Sequence, residues 1–444
     1  MSTTATPSAP PSVAAPQAAE YAPIYKGDKH IWGIYITLCF ISVIELYSAS
    51  SQEVAEAGMN VYGTIVRHVL LLLGGFGIVY TLQRIHYRKI TRWIIPFAIF
   101  SVALMIYTIY FGSLVNGARR SIHLIFFSVY PSELLKLSAA TVVSLVMVHS
   151  QLRDRNGVSN RGVTVVAAVI LLYCALLAPQ GLTNTLLLMC ISFSMMVVGG
   201  ISVRKLCTVL LIYGACFGCY LLYHSLRSAS GPEADATEMV SDASQTQVEV
   251  NRTGEWKRRL NVFFGDGVPK YEIPMTSDNR QEMLGYMAQA HGGVIGVGPG
   301  NSRETARLPL AFTDYIYSII VEELGLIGGV FVLMLYLWLL ARASAIASKC
   351  VRALPAQLVI GMALTIVFQA LFHICIVTGV IPVSGQPLPL ISKGGTSILI
   401  TSVAFGIMLS VSRFATRKNT QRKDIKKEEE ALPEQLRTEN PSQL

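Results

Sequence analysis

Residues 314–341 read DYIYSIIVEELGLIGGVFVLMLYLWLLA, and the part from Leu324 to Ala341 holds 18 consecutive residues without a charge. A helix needs about 20 mostly apolar residues to cross the hydrocarbon core of a bilayer. The rest of the chain agrees, because 52% of its 444 residues are hydrophobic and only 14% are charged. An ordinary soluble domain carries about 25% charged residues. The stretch therefore predicts a helix that spans a membrane.

Further apolar runs of similar length lie along the chain, and their continuity excludes a transmembrane barrel, in which apolar and polar residues alternate. The same pattern excludes a soluble enzyme, a nucleic-acid-binding protein and a secreted disulfide scaffold. We predict an all-α integral membrane protein with ten transmembrane helices and a large extracytoplasmic loop, residues 225–313, between helices seven and eight. The other nine runs fall at about 31–49, 64–82, 93–111, 133–150, 163–179, 182–200, 205–224, 356–379 and 391–412.

The formal net charge of +9 follows from basic residues clustered in the loops after the even-numbered runs. Loops rich in Lys and Arg stay in the cytoplasm. Because the number of runs is even, both termini lie on the same side as these loops and are predicted to be cytoplasmic. Residues 1–30 are predicted to be a disordered tail, residues 31–412 the membrane domain, and residues 413–444 a basic, mixed-charge tail. Within the external loop, residues 228–254 are rich in Ser, Glu and Asp and are predicted to be mobile.

Charged residues cluster around the start of the fourth run. Arg119 and Arg120 precede the run, and the sequence Pro-Ser-Glu-Leu-Leu-Lys, residues 131–136, opens it. Glu133 and Lys136 are three residues apart and so project from one face of a helix. A capped helix with a local ion pair would explain them, but capping does not require a lysine already inside the apolar run. We therefore favour a functional role.

Acidic residues occur at two depths of the eighth run. Asp314 is predicted to start that helix, where the helix dipole alone would favour a carboxylate. Glu322 lies roughly 12 Å further along the helix axis, next to Glu323. Burying a charge in a bilayer is costly, so such residues usually face a protein cavity. The spacing predicts a wet groove.

Two glycine-rich segments also lie on the predicted outer side. Residues 285–300 contain six glycines, which either present backbone N–H groups to a phosphate or form a tight loop packed against the membrane surface. Residues 382–397 place Lys393 among small residues. Glu45, in the middle of the first run, has no partner that the sequence identifies.

Together these residues predict an outward-facing polar groove with several cations and a carboxylate. Cations near the outer leaflet suit a phosphate-bearing lipid, and a carboxylate beside them could act as a general base. An enzyme and a transporter remain equally compatible with this pattern. The candidate cations are Arg119, Arg120, Lys136, Arg258 and Lys393, and the candidate base is Asp314.

The motifs around residues 116–136, 285–300, 308–325 and 378–397 resemble those of the SEDS family (shape, elongation, division and sporulation proteins, of the FtsW/RodA type). They occur in the family's order and spacing, and the resemblance covers about residues 31–412. It implies a peptidoglycan glycosyltransferase that polymerises lipid II at the outer face of the bacterial inner membrane. The long N-terminal tail and basic C-terminal extension look more like the division branch, which implies septal synthesis.

The resemblance also implies partners and site residues. The partners would be a class B penicillin-binding protein and other divisome membrane proteins, with no nucleic acid. The family's catalytic acid falls on Asp314, and no cofactor is implied beyond a divalent cation, Mg or Mn, which could share the charge on a diphosphate. The substrate-binding candidates are Lys136, Glu133, Arg119, Arg120, Lys393, Arg258 and Gln281.

Four departures and three alternatives remain. Leu310 replaces a family Glu, Phe312 stands where His is common, Lys393 stands where Tyr is frequent, and residues 179–183 lack a family acid. The missing acids make Asp314 the more isolated candidate. The alternatives are a lipid II flippase, an elongation-type polymerase, and a scaffold that only activates its penicillin-binding partner.

Overall fold

The computed structural model describes the parts of the chain that form the helical bundle and one end of the large loop. These parts are residues 27–57, 61–115, 118–123, 128–153, 158–229, 263, 272, 274–276, 279–308 and 311–415. The tail residues 1–26 and 416–444, together with Arg258 and most of the segment 228–254, lie outside the described residues.

The described chain is mostly helical, and each of the ten predicted apolar runs coincides with a helix. The helices are α1 (Lys29–Ala57), α2 (Val61–Leu82), α3 (Tyr87–Arg92), α4 (Ile94–Phe111), α5 (Pro131–Arg153), α6 (Asn160–Leu177), α7 (Leu182–Val198), α8 (Val203–Ala229), α9 (Arg280–Gly292), α10 (Ala311–Asp314), α11 (Ile316–Lys349), α12 (Ala353–Val377) and α13 (Gly395–Phe414).

Eight helices in the described part of the chain are long and apolar enough to cross a membrane, namely α1, α2, α4, α5, α6, α11, α12 and α13. The apolar helix α7 has 17 residues. In α12 and α13, 78% of the residues in the apolar segment are buried, against 22% in α2 and α4. The protein is therefore a multi-pass membrane protein in which α12 and α13 are central and α2 and α4 are peripheral.

A small antiparallel sheet between α4 and α5 corrects the all-α prediction. Its strands are β1 (Ser113–Val115), β2 (Ala118–His123) and β3 (Ser128–Val129). The Ser113 hydroxyl donates to the Ser121 carbonyl at 2.8 Å and thereby fixes the pairing of β1 with β2. The two residues between these strands are Asn and Gly, which is a strong hairpin signal in sequence. Each strand has only two to six residues, so its sequence pattern is hidden by the long apolar runs of the flanking helices.

Helix α11 is interrupted at Gly325, whose φ of 71° and ψ of −177° are not helical. The segment 293–298 enters this break, and the Leu326 N–H donates to the Gly293 carbonyl at 3.0 Å. A Cβ on Gly296 would overlap the carbonyl oxygen of Glu323. The glycines of this stretch therefore allow close backbone packing against α11, a role that differs from both the phosphate site and the loop against the membrane surface offered for them in the sequence.

At the end of the bundle away from the small sheet, Asp28 connects three membrane helices. Its carboxylate accepts from the N–H groups of His30 and Ile31 and caps α1. The Arg342 guanidinium of α11 donates to the same carboxylate at 2.5 Å, and the Asp28 N–H donates to the Ser412 hydroxyl of α13 at 3.0 Å. The ordered membrane domain therefore includes Asp28, within the predicted N-terminal tail.

Candidate active site at the end of the bundle

A polar cavity of about 190 Å³ opens where the sheet, α5, α7, α10 and the segment 383–394 meet. Four of the residues singled out in the sequence line it together, although they come from three separate motifs. The lining includes Asp314, Glu133, Arg120 and Lys393, and also Tyr130, Ser132, Gln180, Asn184, Thr313, Gly385, Gln386 and Ser397.

Asp314 is the last residue of the short helix α10, and does not start the long helix as the sequence predicted. Tyr315, with φ of −126° and ψ of 16°, separates α10 from α11. The Tyr315 ring lies against Gly285 of α9, where a Cβ would come within 2.8 Å of the ring. This break holds Asp314 at the cavity wall, half-buried.

The segment before α13 is hydrogen-bonded to the backbone around Asp314. The Lys393 N–H donates to the Phe312 carbonyl at 2.9 Å. The Ser392 hydroxyl donates to the Thr313 carbonyl at 2.7 Å and accepts from the Leu388 N–H at 2.7 Å. Two residues before Ser392, Leu390 has a φ of 65°, the left-handed region that is uncommon for a residue with a side chain. The segment is therefore held in one conformation beside the carboxylate.

Tyr130 is a cavity residue that the sequence analysis missed. Burial raises the pKa of its hydroxyl, the Asp314 carboxylate adds to that rise, and the Arg120 guanidinium opposes it. The three side chains are thus close enough to interact electrostatically. A tyrosine between a strand and a helix is common in sequence, so only the folded arrangement identifies this one.

The side chains of Arg119 and Arg120 lie on opposite faces of β2, because successive side chains of a strand alternate between its two faces. Arg120 lines the cavity. Arg119 is half-buried and does not line it, although its carbonyl accepts from the Gln180 side chain at 3.4 Å. Gln281, on α9, is half-buried and is also not among the lining residues.

Lys136 lies beneath the cavity and not in its lining. Its side chain is fully buried, and its ammonium group donates to Glu133 Oε1 at 2.7 Å and to Gln369 Oε1 at 3.3 Å. Glu133 itself lines the cavity. Direct contact of Lys136 with a diphosphate stays a prediction, and its burial favours the alternative role as the structural partner of Glu133.

Glu322 and Glu323 do not line this cavity, so they do not extend it into the wet groove that their spacing suggested. Glu322 accepts from the Ser302 hydroxyl at 2.5 Å, and Glu323 accepts from the Ser48 hydroxyl. Both carboxylates are buried, and Glu322 holds the segment that leads from α9 to α10, since it also accepts from the Arg303 N–H. Glu45, fully buried in α1, is close enough to Glu323 to interact electrostatically.

Within the residues described, no group of three or more His, Cys, Asp or Glu side chains is arranged to hold a metal ion. The cavity contributes two carboxylates, Asp314 and Glu133. Proteins often bind Mg²⁺ through one or two carboxylates together with phosphates of the substrate. The residues present therefore fit a cation that arrives with a diphosphate.

Gly385 lies directly against the Asp314 carboxylate, since a Cβ at this position would come within 2.8 Å of Asp314 Oδ2. We expect Gly385→Ala to displace the carboxylate and to lower the turnover of the site by about 100-fold, the loss that a misplacement of about 1 Å can cause. The measurement is the rate with saturating substrate.

Gly77→Ala is the matched control, because a Cβ there would meet no atom within 4 Å. Full activity of Gly385→Ala, with unchanged stability, would show that the position of Asp314 does not limit turnover.

The arrangement defines a multi-pass helical membrane protein with a polar cavity at one end of its bundle. The profile of the family described as Cell cycle protein, which groups FtsW, RodA and SpoVE, matches residues 28–233 and 272–417. The chain belongs to this family.

Several relatives are similar over most of their length. The probable peptidoglycan glycosyltransferase FtsW of Enterococcus hirae is 27% identical over 415 residues, which cover 89% of this chain and 95% of the relative. The probable peptidoglycan glycosyltransferase FtsW of Geobacter sulfurreducens is 26% identical over 395 residues, covering 88% and 96%.

Solved structures share the fold. A chain from a peptidoglycan synthase complex that coordinates polymerization and crosslinking has a TM-score of 0.64 and 22% identity, covering 87% of this chain and 98% of that one. The rod shape determining protein RodA of Thermus thermophilus has a TM-score of 0.58 and 21% identity, covering 87% and 97%. The multi-pass fold predicted from the sequence agrees with both.

Proposed function

We infer that this protein is a peptidoglycan glycosyltransferase that polymerises lipid II into glycan strands, in septal cell-wall synthesis during division. The observation that carries this inference is the cavity in which the Asp314 carboxylate lies with Arg120 and Lys393. The names of the FtsW relatives, which align with most of the chain, support the same activity.

The reaction needs a base beside the attacking hydroxyl and positive charge beside the departing diphosphate. The C4 hydroxyl of an acceptor sugar attacks the anomeric carbon of the donor, and the bond from that carbon to the lipid diphosphate breaks. Asp314 takes the hydroxyl proton as general base. Arg120 and Lys393 stabilise the charge that develops on the departing diphosphate. One carboxylate and two cations in one cavity thus have separate tasks.

A divalent cation held by the diphosphate together with Asp314 or Glu133 would add positive charge to the leaving group. The protein's own cations perform this task from fixed positions. The Lys393 ammonium lies 5.4 Å from the centre of the Phe312 ring, within the range of a cation–π contact. Phe312 thus helps to hold the ammonium group at the cavity.

We propose that α7 and α8 also cross the membrane, which brings the spans to ten and leaves both termini in the cytoplasm. Their lengths of 17 and 27 residues support this count. The cavity then opens on the outer side of the inner membrane, where a class B penicillin-binding protein would crosslink the strands. Relationship to a chain from a peptidoglycan synthase complex supports a partner of this kind.

Orientation is tested with two cysteines, one in the segment before α10 and one at the C-terminal end of α11, in a protein whose native cysteines are replaced. Ala306 and Ser348 are both exposed. We expect Ala306→Cys to react with a membrane-impermeant maleimide in cells with a permeabilised outer membrane, and Ser348→Cys to react only after the inner membrane is opened. Labelling in the reverse order would contradict the proposed topology.

A reconstitution experiment tests the proposed activity against the transporter alternative. Purified protein is placed in liposomes with fluorescent lipid II, with and without a class B penicillin-binding protein. We expect glycan strands to form, and we expect Asp314→Asn liposomes to form them at least about 100-fold more slowly. Movement of lipid II between leaflets at equal rates in both proteins, without glycan product in either, would instead establish a transporter.

A further inference from the structure

Helix α12 carries two buried polar side chains that contact the backbone of the cavity wall on the side away from the cavity. Gln369 and His373 are four residues apart, so they lie on one face of the helix. Their exposed fractions are 4% and 1%. The Gln369 amide donates to the Pro387 carbonyl at 3.2 Å, and His373 Nδ1 lies 2.6 Å from the Gln386 carbonyl oxygen. Neither side chain lines the cavity.

The hydrogen-bond partners determine which ring nitrogen of His373 carries the proton and how the Gln369 amide is oriented. A carbonyl oxygen only accepts hydrogen bonds, so the His373 proton must be on Nδ1. The Lys136 ammonium only donates, so Gln369 must turn its oxygen toward Lys136 and its NH₂ toward Pro387. The 3.3 Å contact between Lys136 Nζ and Gln369 Oε1 agrees with this orientation. Lys136 therefore orients the amide that holds the wall.

The backbone held in this way continues directly into the residue that touches Asp314. Gly385 precedes Gln386, and a Cβ on Gly385 would come within 2.8 Å of Asp314 Oδ2. Residues 382–389 form neither helix nor strand, so side chains must hold this backbone where a regular ladder does not. A loss of either α12 contact would allow Gly385 to move relative to the carboxylate.

We propose that His373 and Gln369 are positioning residues for Asp314, acting through the backbone of residues 385–387. This inference rests on the proposed function, because it assigns them an effect on the base of that reaction. Lys136 and Glu133 extend the same network to α5, which gives the fully buried lysine a task that needs no contact with substrate.

The test compares His373→Asn with His373→Leu. Asparagine places an N–H donor near the position of Nδ1, whereas leucine has no donor. We expect His373→Leu to lower the turnover number on lipid II by about 10- to 100-fold with little change in KM, since misplaced groups affect the chemical step. We expect His373→Asn to restore most of that loss.

The matched control is Gln357→Leu on the same helix. The Gln357 amide also donates to a buried carbonyl, that of Met195 at 2.8 Å, but it is not among the cavity-lining residues. We expect Gln357→Leu to lower thermal stability without a change in turnover number. If Gln357→Leu and His373→Leu reduce turnover equally, the effect is general destabilisation and the proposal is wrong.

Combining His373→Leu with Asp314→Asn separates this proposal from the proposed function. In an Asp314→Asn protein, His373→Leu should cause no further loss of turnover, because the group that it positions is already gone. A further loss there, or equal turnover of His373→Asn and His373→Leu, would overturn the positioning role. If Asp314→Asn alone stays fully active, the assignment of the base fails, whatever His373 does.

The same comparison can be made at Gln369 if His373→Leu does not accumulate in the membrane. Gln369→Met keeps the length of the side chain and removes both the donor to Pro387 and the acceptor for Lys136. We expect the same loss of turnover number and the same lack of effect in the Asp314→Asn background. Unchanged turnover of Gln369→Met would contradict the proposal.

Discussion

Asp314→Asn should yield a protein that is stable, inserted in the membrane and nearly unable to polymerise lipid II. A general base typically contributes about 100- to 10,000-fold, so we expect a loss of at least the lower factor. Asparagine keeps the size of the side chain, so the contact with Gly385 and the short helix α10 should persist. The measurement is the initial rate of glycan formation at saturating lipid II, with the unfolding midpoint recorded for the same preparation.

Asp28→Asn is the control for this substitution. Asp28 lies at the opposite end of the bundle, where its side chain caps α1 and binds Arg342. Asparagine is also a good N-cap residue, so polymerisation should remain near the wild-type rate. Near-wild-type activity of Asp314→Asn would show that Asp314 is not the base, and Glu133 would be the next residue to test.

Lys136→Met should destabilise the protein strongly. The substitution leaves the Glu133 carboxylate, which is only 8% exposed, without its ammonium partner. Breaking a buried ion pair by removing one partner costs about 3–5 kcal/mol. We therefore expect a lower unfolding midpoint in detergent and lower accumulation in the membrane, with part of both recovered in the double variant Glu133→Gln/Lys136→Met.

The double variant separates a structural role for Lys136 from a substrate role. If Lys136 holds a diphosphate directly, Lys136→Met should bind lipid II poorly while it unfolds at the wild-type temperature. The double variant would then recover nothing. Normal stability together with weak lipid II binding would contradict the structural role that its burial supports.

The helices could be predicted from sequence because the requirement that produces them is local. A bilayer-spanning segment must satisfy its own backbone hydrogen bonds and be apolar along its length, and both conditions are visible in a window of 20 residues. The same locality explains why Asp314 and Glu133 could be identified, since each interrupts or borders an apolar run.

The wall of the cavity could not be predicted, because its contacts join residues that are distant in sequence. Lys136 contacts Gln369, 233 residues further along the chain. Gln369 and His373 occur within a long apolar run in which a polar residue has no local signature. Arg119 and Arg120 are neighbours in sequence, and only the strand that contains them separates one from the cavity.

The glycine-rich stretch 285–300 illustrates how one sequence pattern can serve two structures. Glycine permits a backbone to bind phosphate and also permits two backbones to approach closely. The break in α11 at Gly325 accepts the segment 293–298, and the two segments bond through the Leu326 N–H and the Gly293 carbonyl. A prediction would have needed the position of that break, which depends on both segments at once.

A single gel can test whether this cavity polymerises lipid II with Asp314 as the base. Wild-type and Asp314→Asn proteins, purified with the same class B penicillin-binding protein whose transpeptidase site is blocked, are given lipid II, and the glycan products are separated by length. We expect a ladder of glycan strands for the wild type and, at equal complex formation, at least about 100-fold less product for Asp314→Asn. Ladders of equal intensity from both proteins would contradict the assignment of Asp314 as the base.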